Sequence, residues 1–322
     1  MNRFVSIAAC LSAAVVLRAA GAGPKPAADA TAAGARELSW RVTDNSVALL
    51  NGGKMVWQHV HDSGAGKPYM RLALLDGTEL TRPWPFPKDY KPNDHLWHKA
   101  LWWSWKSIDG VNVWEQNAKG TFATKARVER RDDGSAVIAM DVVHGPDAGP
   151  PLVNEKRTVS IGAPDASGAY LVQWQGVFTP AGAKDVVFGK NWYGGFAMRC
   201  AGEMRGKDWQ FFDPEGRKDD RINRQTARWV AMTGKAAGDR VACVAVFDHP
   251  SNPRHPSPWC VIKYMPYFNP AFTGAEDYAL KAGSNLALRY GVLVAPAQLA
   301  AADVERHWKA FSEKEAERSK PE

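Results

Sequence analysis

Apolar and polar residues alternate along much of the chain, a pattern that predicts β-strands. Two apolar runs flank Asn51-Gly52 between residues 47 and 57, and two more flank Asp133-Gly134 between residues 126 and 143. Asn-Gly and Asp-Gly in this setting are strong signals for β-hairpins. Residues 170–178 alternate again, and residues 240–247 and 287–294 have the composition of buried strands.

Many short strands separated by Gly, Asp and Pro predict an all-β fold, a large antiparallel β-sandwich of the supersandwich type. We expect it to span residues 37–311 as a single domain. A C-terminal helix is predicted to pack against it, because Pro296 suits a first helical turn and Val304, Trp308 and Phe311 recur at helical spacing. Residues 312–322 form a charged tail.

The first 22 residues have the features of a secretory signal peptide. Arg3 precedes an apolar run of 14 residues, and small residues follow up to Ala22. The run is shorter than the roughly 20 residues of a spanning helix. We therefore predict export to a periplasmic or secreted location, with a membrane anchor or a lipoprotein modified at Cys10 as alternatives. Residues 23–36 have the composition of a disordered leader, and no later segment is apolar for long enough to span a membrane.

The formal charge of +7 comes from basic residues that are scattered among acidic ones. This pattern favours a solvated surface over nucleic-acid binding and leaves an acidic substrate, such as a uronic-acid glycan, open. Cys200, Cys243 and Cys260 remain after signal removal. They allow at most one internal disulfide, lack metal-type spacing, and are expected to be small buried apolar residues.

Six of the 14 tryptophans lie between residues 84 and 115, interleaved with Asp, His, Lys, Asn and Glu. Such a density predicts either core or a binding platform, and indole rings beside polar groups suit a saccharide cleft. Strand alternation places Trp103 and Trp105 on one face and Trp102 on the other, so at least one face is expected to be core. The residues of this segment predicted to bind substrate are Trp97, Trp102, Trp103 and Asn112.

The segment Asp94-His95-Leu96-Trp97-His98 carries the main catalytic prediction. His95 and His98 would exchange protons, since imidazole titrates in the neutral range, and Asp94 or Glu115 would assist them. In one alternative they are ligands of a divalent metal together with His59, His61 or His249; in another they are structural. The sequence itself requires no cofactor.

Two later segments are predicted to hold the substrate. Lys190, Tyr193 and Arg199 lie around Gly194-Gly195, where Arg199 could clamp a carboxylate or several hydroxyls. Four prolines between residues 250 and 258 predict a stiff loop after a buried strand, with His249 and Asn252 as its candidates. A surface Arg and a rigid connector are the alternative interpretations. Motifs for serine hydrolysis, nucleotide binding and zinc proteolysis are absent from the sequence.

Several segments, in order, resemble the bacterial family called PmoA-like, or "methane oxygenase PmoA". They are Gly66-Lys67-Pro68-Tyr69, Asp94-His95-x-x-His98 with Leu101-Trp102, Asp109-Gly110-Val111-Asn112-Val113-Trp114, the run from Tyr193 to Arg199, and Phe247-Asp248-His249-Pro250-x-Asn252-Pro253. The family usually has Asp-His-Pro-His-His-Arg-Gly-Leu-Trp at the second segment, and Leu96, Trp97 and Lys99 depart from it. The resemblance implies an exported β-rich protein that accompanies carbohydrate-degrading systems. The β pattern also looks like the sandwich of galactose mutarotases, in which histidines and a carboxylate act on sugars.

The membrane subunit of methane monooxygenase is built of spanning helices, and the sequence shows none after the predicted signal. We therefore do not expect this chain to oxidise methane. Together these observations predict a protein that acts on a carbohydrate or glycoside by His and carboxylate acid–base chemistry. A glycan-binding protein without catalysis, a His-ligated metal enzyme, and glycoside hydrolysis by paired carboxylates are the alternatives.

Overall fold

The computed structural model describes residues 36–62, 66–91, 94–115, 121–123, 126–236 and 240–313. The predicted signal peptide, the predicted leader up to residue 35 and the tail from residue 314 lie outside these residues. The chain from Glu37 onward forms one compact unit. No helix within the described ranges is long and apolar enough to cross a membrane.

In the described residues the strands are, in chain order, β1 (Leu38–Thr43), β2 (Ser46–Asn51), β3 (Lys54–Val60), β4 (Tyr69–Leu72), β5 (Leu101–Trp105), β6 (Thr121–Ala123), β7 (Arg127–Arg130), β8 (Ala136–His144), β9 (Val153–Ile161), β10 (Tyr170–Pro180), β11 (Val186–Phe188), β12 (Gly194–Arg199), β13 (Trp209–Phe212), β14 (Trp229–Lys235), β15 (Val241–Asp248), β16 (Trp259–Ile262), β17 (Tyr267–Pro270), β18 (Tyr278–Leu280) and β19 (Leu286–Ala295). Helix α1 (Ala301–Glu313) follows them, and two short 3₁₀ turns occupy Gly202–Arg205 and Asp219–Ile222.

Two large antiparallel sheets form the sandwich. The first sheet has the order β1-β2-β3-β4-β5-β12-β17-β16, and the second has the order β13-β14-β15-β19-β10-β9-β8-β6, with β7 also paired to β8. Strands β11 and β18 make a separate ribbon. The predicted all-β, antiparallel sandwich with a C-terminal helix is confirmed.

Both predicted hairpins are present. Strands β2 and β3 meet at Gly52 and Gly53, whose φ angles of 54° and 77° lie in the left-handed region. Strands β7 and β8 meet at Gly134, with φ of 85°. A Cβ at Gly134 would lie 3.0 Å from Leu38 Cδ1, so this turn also packs tightly against β1. Glycine adopts these angles without the steric cost that a Cβ adds.

Strand β5 divides its tryptophans as alternation predicts. Trp103 and Trp105 enter the core between the sheets, whereas Trp102 belongs to a separate cluster on the outer face of the first sheet. The Trp103 ring lies 4.4 Å from that of Phe178 and parallel to that of Trp174. The prediction that Trp103 contacts substrate is therefore wrong, because its side chain is enclosed by the two sheets.

A charged cluster lies in the core between the sheets. Glu155 accepts hydrogen bonds from Arg157 Nε at 2.5 Å and Nη2 at 2.8 Å, and its Oε2 lies 2.7 Å from His144 Nε2. All three side chains are buried. Burial alone would raise the pKa of Glu155, but Arg157 and the hydrogen bond from His144 outweigh it and lower that pKa. Glu155 is therefore an ionised carboxylate inside the sandwich.

Helix α1 covers the outer face of the second sheet. Val304 and Phe311 are buried there, and Trp308 is half-buried and donates from Nε1 to the Asp248 carbonyl at 3.0 Å. The predicted apolar stripe is thus confirmed, although the helix begins at Ala301 and not near Pro296. The Asp303 carboxylate accepts a hydrogen bond from the Ala300 amide at 3.1 Å, which caps the first turn.

Candidate functional site

The outer face of the first sheet carries a second aromatic cluster under a long connection. Tyr69, Trp102, Ala197 and Tyr267 project outward from β4, β5, β12 and β17. The segments between β4 and β5 and after β5 add Trp84, Trp97 and Trp114. Residues 94–100, which we call the histidine loop, lie over this layer. We call the loop together with Lys67, Trp102, Trp114, Arg199 and Tyr267 the outer-face site.

Arg82 fixes the start of the histidine loop. Its buried guanidinium donates to the carbonyls of Asp94 at 2.6 Å and His95 at 3.1 Å. The Arg82 amide donates to the Arg199 carbonyl, and the Arg199 amide donates to the Ala100 carbonyl. Both ends of the loop are therefore tied to β12. His95 and Ala100 have positive φ angles of 44° and 60°, a rare conformation for residues with a side chain.

The Asp94 carboxylate lies among three basic groups. Its Oδ1 is 3.0 Å from Arg199 Nη2 and 3.3 Å from Arg82 Nη2, and its Oδ2 is 3.3 Å from His95 Nδ1. Partial burial acts to raise the pKa of Asp94, but Arg199, His95 and Arg82 outweigh it and lower the pKa below its ordinary value. Asp94 is thus ionised at neutral pH, and half-exposed.

His98 is buried and neutral. Its Nδ1 lies 3.2 Å from Arg199 Nη1. A guanidinium nitrogen only donates, so His98 Nδ1 is the acceptor and the ring proton is on Nε2. Burial, Arg199 and His95 all lower the pKa of His98 well below its ordinary value. The ring is held by Tyr267 and Trp102, each with its centroid 5.0 Å away.

His95 is the accessible member of the pair. Its side chain is 37% exposed, whereas His98 is 1% exposed. The two rings stack at 5.0 Å, and the Trp97 ring lies 5.2 Å from His95. Solvent or a ligand can therefore reach the His95 imidazole, and His98 lies behind it.

Two lysines are buried in the same layer. Lys67 Nζ donates to the Trp114 carbonyl and lies 5.7 Å and 5.5 Å from the Trp102 and Trp114 ring centroids. Lys99 Nζ lies 5.4 Å from the ring centroid of Trp84. Burial lowers the pKa of Lys67 well below its ordinary value and that of Lys99 to about 8. Aromatic faces and a carbonyl partly replace the lost water around these amines.

Glu115 and Asn112 lie at the rim of the site. Glu115 Oε1 is 2.6 Å from Lys106 Nζ, and this hydrogen bond is the largest cause of the lowered pKa of Glu115. Asn112 Oδ1 accepts from the amides of Trp114 and Glu115, at 3.0 Å and 3.2 Å. The oxygen of Asn112 thus shapes the turn that presents Glu115. Its predicted role as a substrate ligand stays a prediction.

Lys190 and Tyr193 lie beside the site, before β12. Both are exposed, and they line a concavity of about 440 Å³ with Lys106, Asn191, Trp192 and Gly274. The Tyr193 ring centroid lies 6.4 Å from that of Tyr267, which connects this concavity to the aromatic layer under His98.

His249 and Asn252 lie elsewhere, which corrects the prediction that they hold substrate beside Arg199. His249 follows β15 in the second sheet, with Nδ1 2.8 Å from Ser251 Oγ and its ring 5.2 Å from Phe311 of α1. Asn252 Nδ2 donates to Asp248 and to the Arg289 carbonyl, and its Oδ1 accepts from the Arg289 amide. Asn252 therefore holds the proline-rich loop to β19, on the opposite layer from Arg199.

The metal alternative is also corrected. His59 lies in the interior beside Arg157, where burial, His61 and Arg157 lower its pKa to about 3. It borders a cavity of about 20 Å³ together with Trp103 and Trp174, on the other side of the first sheet from His95 and His98. Within the described residues, no group of three or more His, Cys, Asp or Glu side chains could hold a metal ion. Cys200, Cys243 and Cys260 are buried and free.

Sequence reasoning did not select Arg82, Lys67, Lys99 or Tyr267 for the site. Arg82 carries no motif, and its role depends on two carbonyls of the histidine loop. Lys67 and Lys99 had a weak signal, since each lies within two residues of an aromatic residue in the sequence. The burial of both lysines depends on how the strands of the first sheet come together, which the local sequence does not show.

A family model described as "Family of unknown function (DUF6807)" matches residues 46–309. No curated protein matches the chain. Among solved structures, a polysaccharide lyase is 12% identical with a TM-score of 0.31, and the match covers 82% of this chain and 33% of the lyase. The Slr1438 protein from Synechocystis sp. PCC 6803 is 9% identical with a TM-score of 0.30, over 81% of this chain and 96% of that protein.

A 4-alpha-glucanotransferase from Thermococcus litoralis is 10% identical with a TM-score of 0.25, over 81% of this chain and 37% of the transferase. The chain thus spans about a third of the length of the lyase and slightly more of the transferase. These activities belong to those proteins, and at such low similarity nothing about the reaction of this chain follows from them.

Proposed function

The chain belongs to the family of unknown function DUF6807, and we propose that it is an exported protein that acts on a carbohydrate or glycoside at the outer-face site. His95 is the group that exchanges the proton, Asp94 orients its ring, and His98 and Arg199 position the pair. The observation that carries this proposal is the chain of contacts from half-exposed His95 through Asp94 and buried Arg199 to neutral His98.

The contact between Asp94 and His95 supports acid–base chemistry. The ionised Asp94 carboxylate lies 3.3 Å from His95 Nδ1 and orients the imidazole ring. Asp94 is itself kept ionised by Arg199 and Arg82. A ligand that reaches His95 would therefore meet an oriented imidazole, the side chain most often used as a general acid or base.

The state of the carboxylates argues against the paired-carboxylate alternative. Glycoside hydrolysis by two carboxyl groups needs one of them protonated, with a raised pKa. Asp94 and Glu115 both have lowered pKa values, because each lies against basic groups. Neither is a suitable acid, so the imidazole of His95 is the better candidate for that role.

The aromatic residues support a saccharide as the ligand. Trp97 is half-buried beside His95, and Trp84 is half-buried over Lys99. Indole faces suit the CH-rich faces of sugars, while Asp94 and His95 offer polar partners for hydroxyl groups. The first 22 residues have the features of a signal peptide, which supports export.

The test is turnover by the purified full chain on a panel of polysaccharides and aryl glycosides. Release of reducing ends, absorbance of unsaturated uronates and exchange between anomers by NMR distinguish hydrolysis, elimination and epimerisation. We expect His95→Ala to lower the rate by at least about 100-fold, in line with loss of a general acid or base. His307→Gln, on α1, is the matched control and should keep the wild-type rate.

Turnover that persists in His95→Ala would contradict the proposal. Glycan binding without turnover across the panel would instead support a non-catalytic glycan-binding protein.

A further inference from the structure

The concavity beside the outer-face site has the dimensions of a ligand pocket. Its described lining is Lys106, Lys190, Asn191, Trp192, Tyr193 and Gly274, and its volume is about 440 Å³. Small-molecule sites typically enclose about 300–1,000 Å³. Tyr193, at the edge of the concavity, is 39% exposed.

Backbone contacts hold the lining in place. The Lys190 amide donates to Asp277 Oδ1 at 2.6 Å, the Asn191 amide to the Thr273 carbonyl at 3.2 Å, and the Tyr193 amide to Asn191 Oδ1 at 2.8 Å. The Trp192 indole lies directly on Gly274, where a Cβ would approach its ring to 2.7 Å. A lining fixed in this way loses little conformational entropy when a ligand binds.

The charge of the concavity is positive. Lys106 and Lys190 belong to its lining, and the Arg224 guanidinium lies 5.3 Å from the Trp192 ring centroid. None of the described lining residues is acidic. Glu115 pairs with Lys106 from outside the lining, and Asp277 accepts a hydrogen bond from the Lys190 backbone amide. Among the described residues, no carboxylate forms an ion pair with the Lys190 ammonium group.

Two contacts connect the concavity to the outer-face site. Lys106 pairs with Glu115 at the rim of that site. Tyr193 lies against Tyr267, which in turn stacks on His98. The concavity therefore adjoins the outer-face site through Lys106 and Tyr193.

We propose that this concavity is a subsite for a sugar unit that bears a carboxylate, with the Lys190 ammonium group as its main ionic partner and the Tyr193 ring as its platform. The inference rests on the proposed carbohydrate function and specifies its substrate class as a uronic-acid glycan. The carboxylate pairs with Lys190, and the sugar ring stacks on Tyr193 between Lys106 and Asn191.

The test compares glucuronic and galacturonic acid with glucose and galactose by ligand-observed NMR on the full chain at low ionic strength. We expect each uronate to bind at least ~10-fold more tightly than its neutral counterpart, a difference of about 1.4 kcal/mol. The preference should shrink as salt is added, because salt screens an exposed ion pair. Lys190→Gln should remove the preference, and Lys190→Glu should reverse it.

Lys156→Gln is the matched control, since Lys156 is an exposed lysine of β9 in the second sheet. It should keep the wild-type preference. Equal binding of acidic and neutral sugars, a preference that survives in Lys190→Gln, or no binding of either uronate would overturn the inference. The proposed function is judged separately, by the dependence of turnover on His95, so either can fail while the other stands.

Discussion

Replacing Arg199 with methionine removes the charge that joins Asp94 to His98. The wild-type side chain is buried and makes two polar contacts, at 3.0 Å to Asp94 and 3.2 Å to His98. Methionine has a similar length and keeps the apolar part of the contact. The perturbation is therefore mainly electrostatic.

The two contacts are expected to contribute unequally to the free energy of unfolding. Asp94 is half-exposed and keeps its contact with Arg82 at 3.3 Å. Losing the contact between Arg199 and Asp94 should therefore cost about as much as a surface ion pair, ~0–1 kcal/mol. His98 is buried, and its Nδ1 would lose a charged donor, which costs about 1.5–3 kcal/mol. We expect Arg199→Met to lower the free energy of unfolding by about 2–3 kcal/mol.

Urea unfolding at pH 7 measures this loss, and ring ¹⁵N NMR of His98 reports its cause. Wild-type His98 should be the Nε2–H tautomer, and the variant should lose that preference while the ring stays neutral, because burial is the largest cause of its low pKa. Arg41→Met, at an exposed position of β1, is the control and should change stability by less than about 0.5 kcal/mol. A loss below about 1 kcal/mol with an unchanged tautomer would refute the reasoning.

Three further outcomes are expected. Trp103→Ala should cost about 3–5 kcal/mol in urea unfolding, because it empties the core, whereas Trp97→Ala at the half-buried rim should cost about 1 kcal/mol or less; equal costs would contradict the placement of β5. His59 has its pKa lowered from 6.5 to about 3 by burial, His61 and Arg157, so only the unfolded chain binds that proton between these values and stability falls as the pH drops below 6.5. From pH 6.5 to 5 this loss approaches ~2 kcal/mol, and His59→Gln should show a correspondingly smaller loss, while an identical loss would contradict a neutral His59. Gly134→Ala should destabilise the protein by more than the ~1 kcal/mol of left-handed strain, because the new Cβ also meets Leu38. Thermal unfolding measures this loss, and Gly110→Ala, which has open space around its Cβ, is the control.

The fold followed from local signals. The turns at Gly52 and Gly134 are set by residues that tolerate left-handed angles, and this requirement can be seen in a dipeptide. The split of Trp102 from Trp103 follows from the period of two in any strand. Neither inference needs knowledge of which strands are neighbours.

Only part of the site could be predicted from the sequence, because its chemistry depends on residues that are far apart in the chain. Asp94, His95 and His98 could be selected from their motif. Which histidine is buried depends on Arg199, 101 positions after His98, and on Arg82. His249 was misplaced for the same reason: its loop follows β15 of the second sheet, whereas Arg199 ends β12 of the first, and no local pattern assigns a strand to a sheet.

The charged cluster of His144, Glu155 and Arg157 has a consequence for how the molecule assembles. A slip of one residue along β9 would turn Glu155 and Arg157 to the solvent and bring Lys156 and Thr158 inward. Apolar side chains in these positions would tolerate several strand registers. Burying ionised groups without their partners is costly. We expect the cluster to destabilise pairings of β9 in the wrong register, so that these pairings come apart before the two sheets pack together.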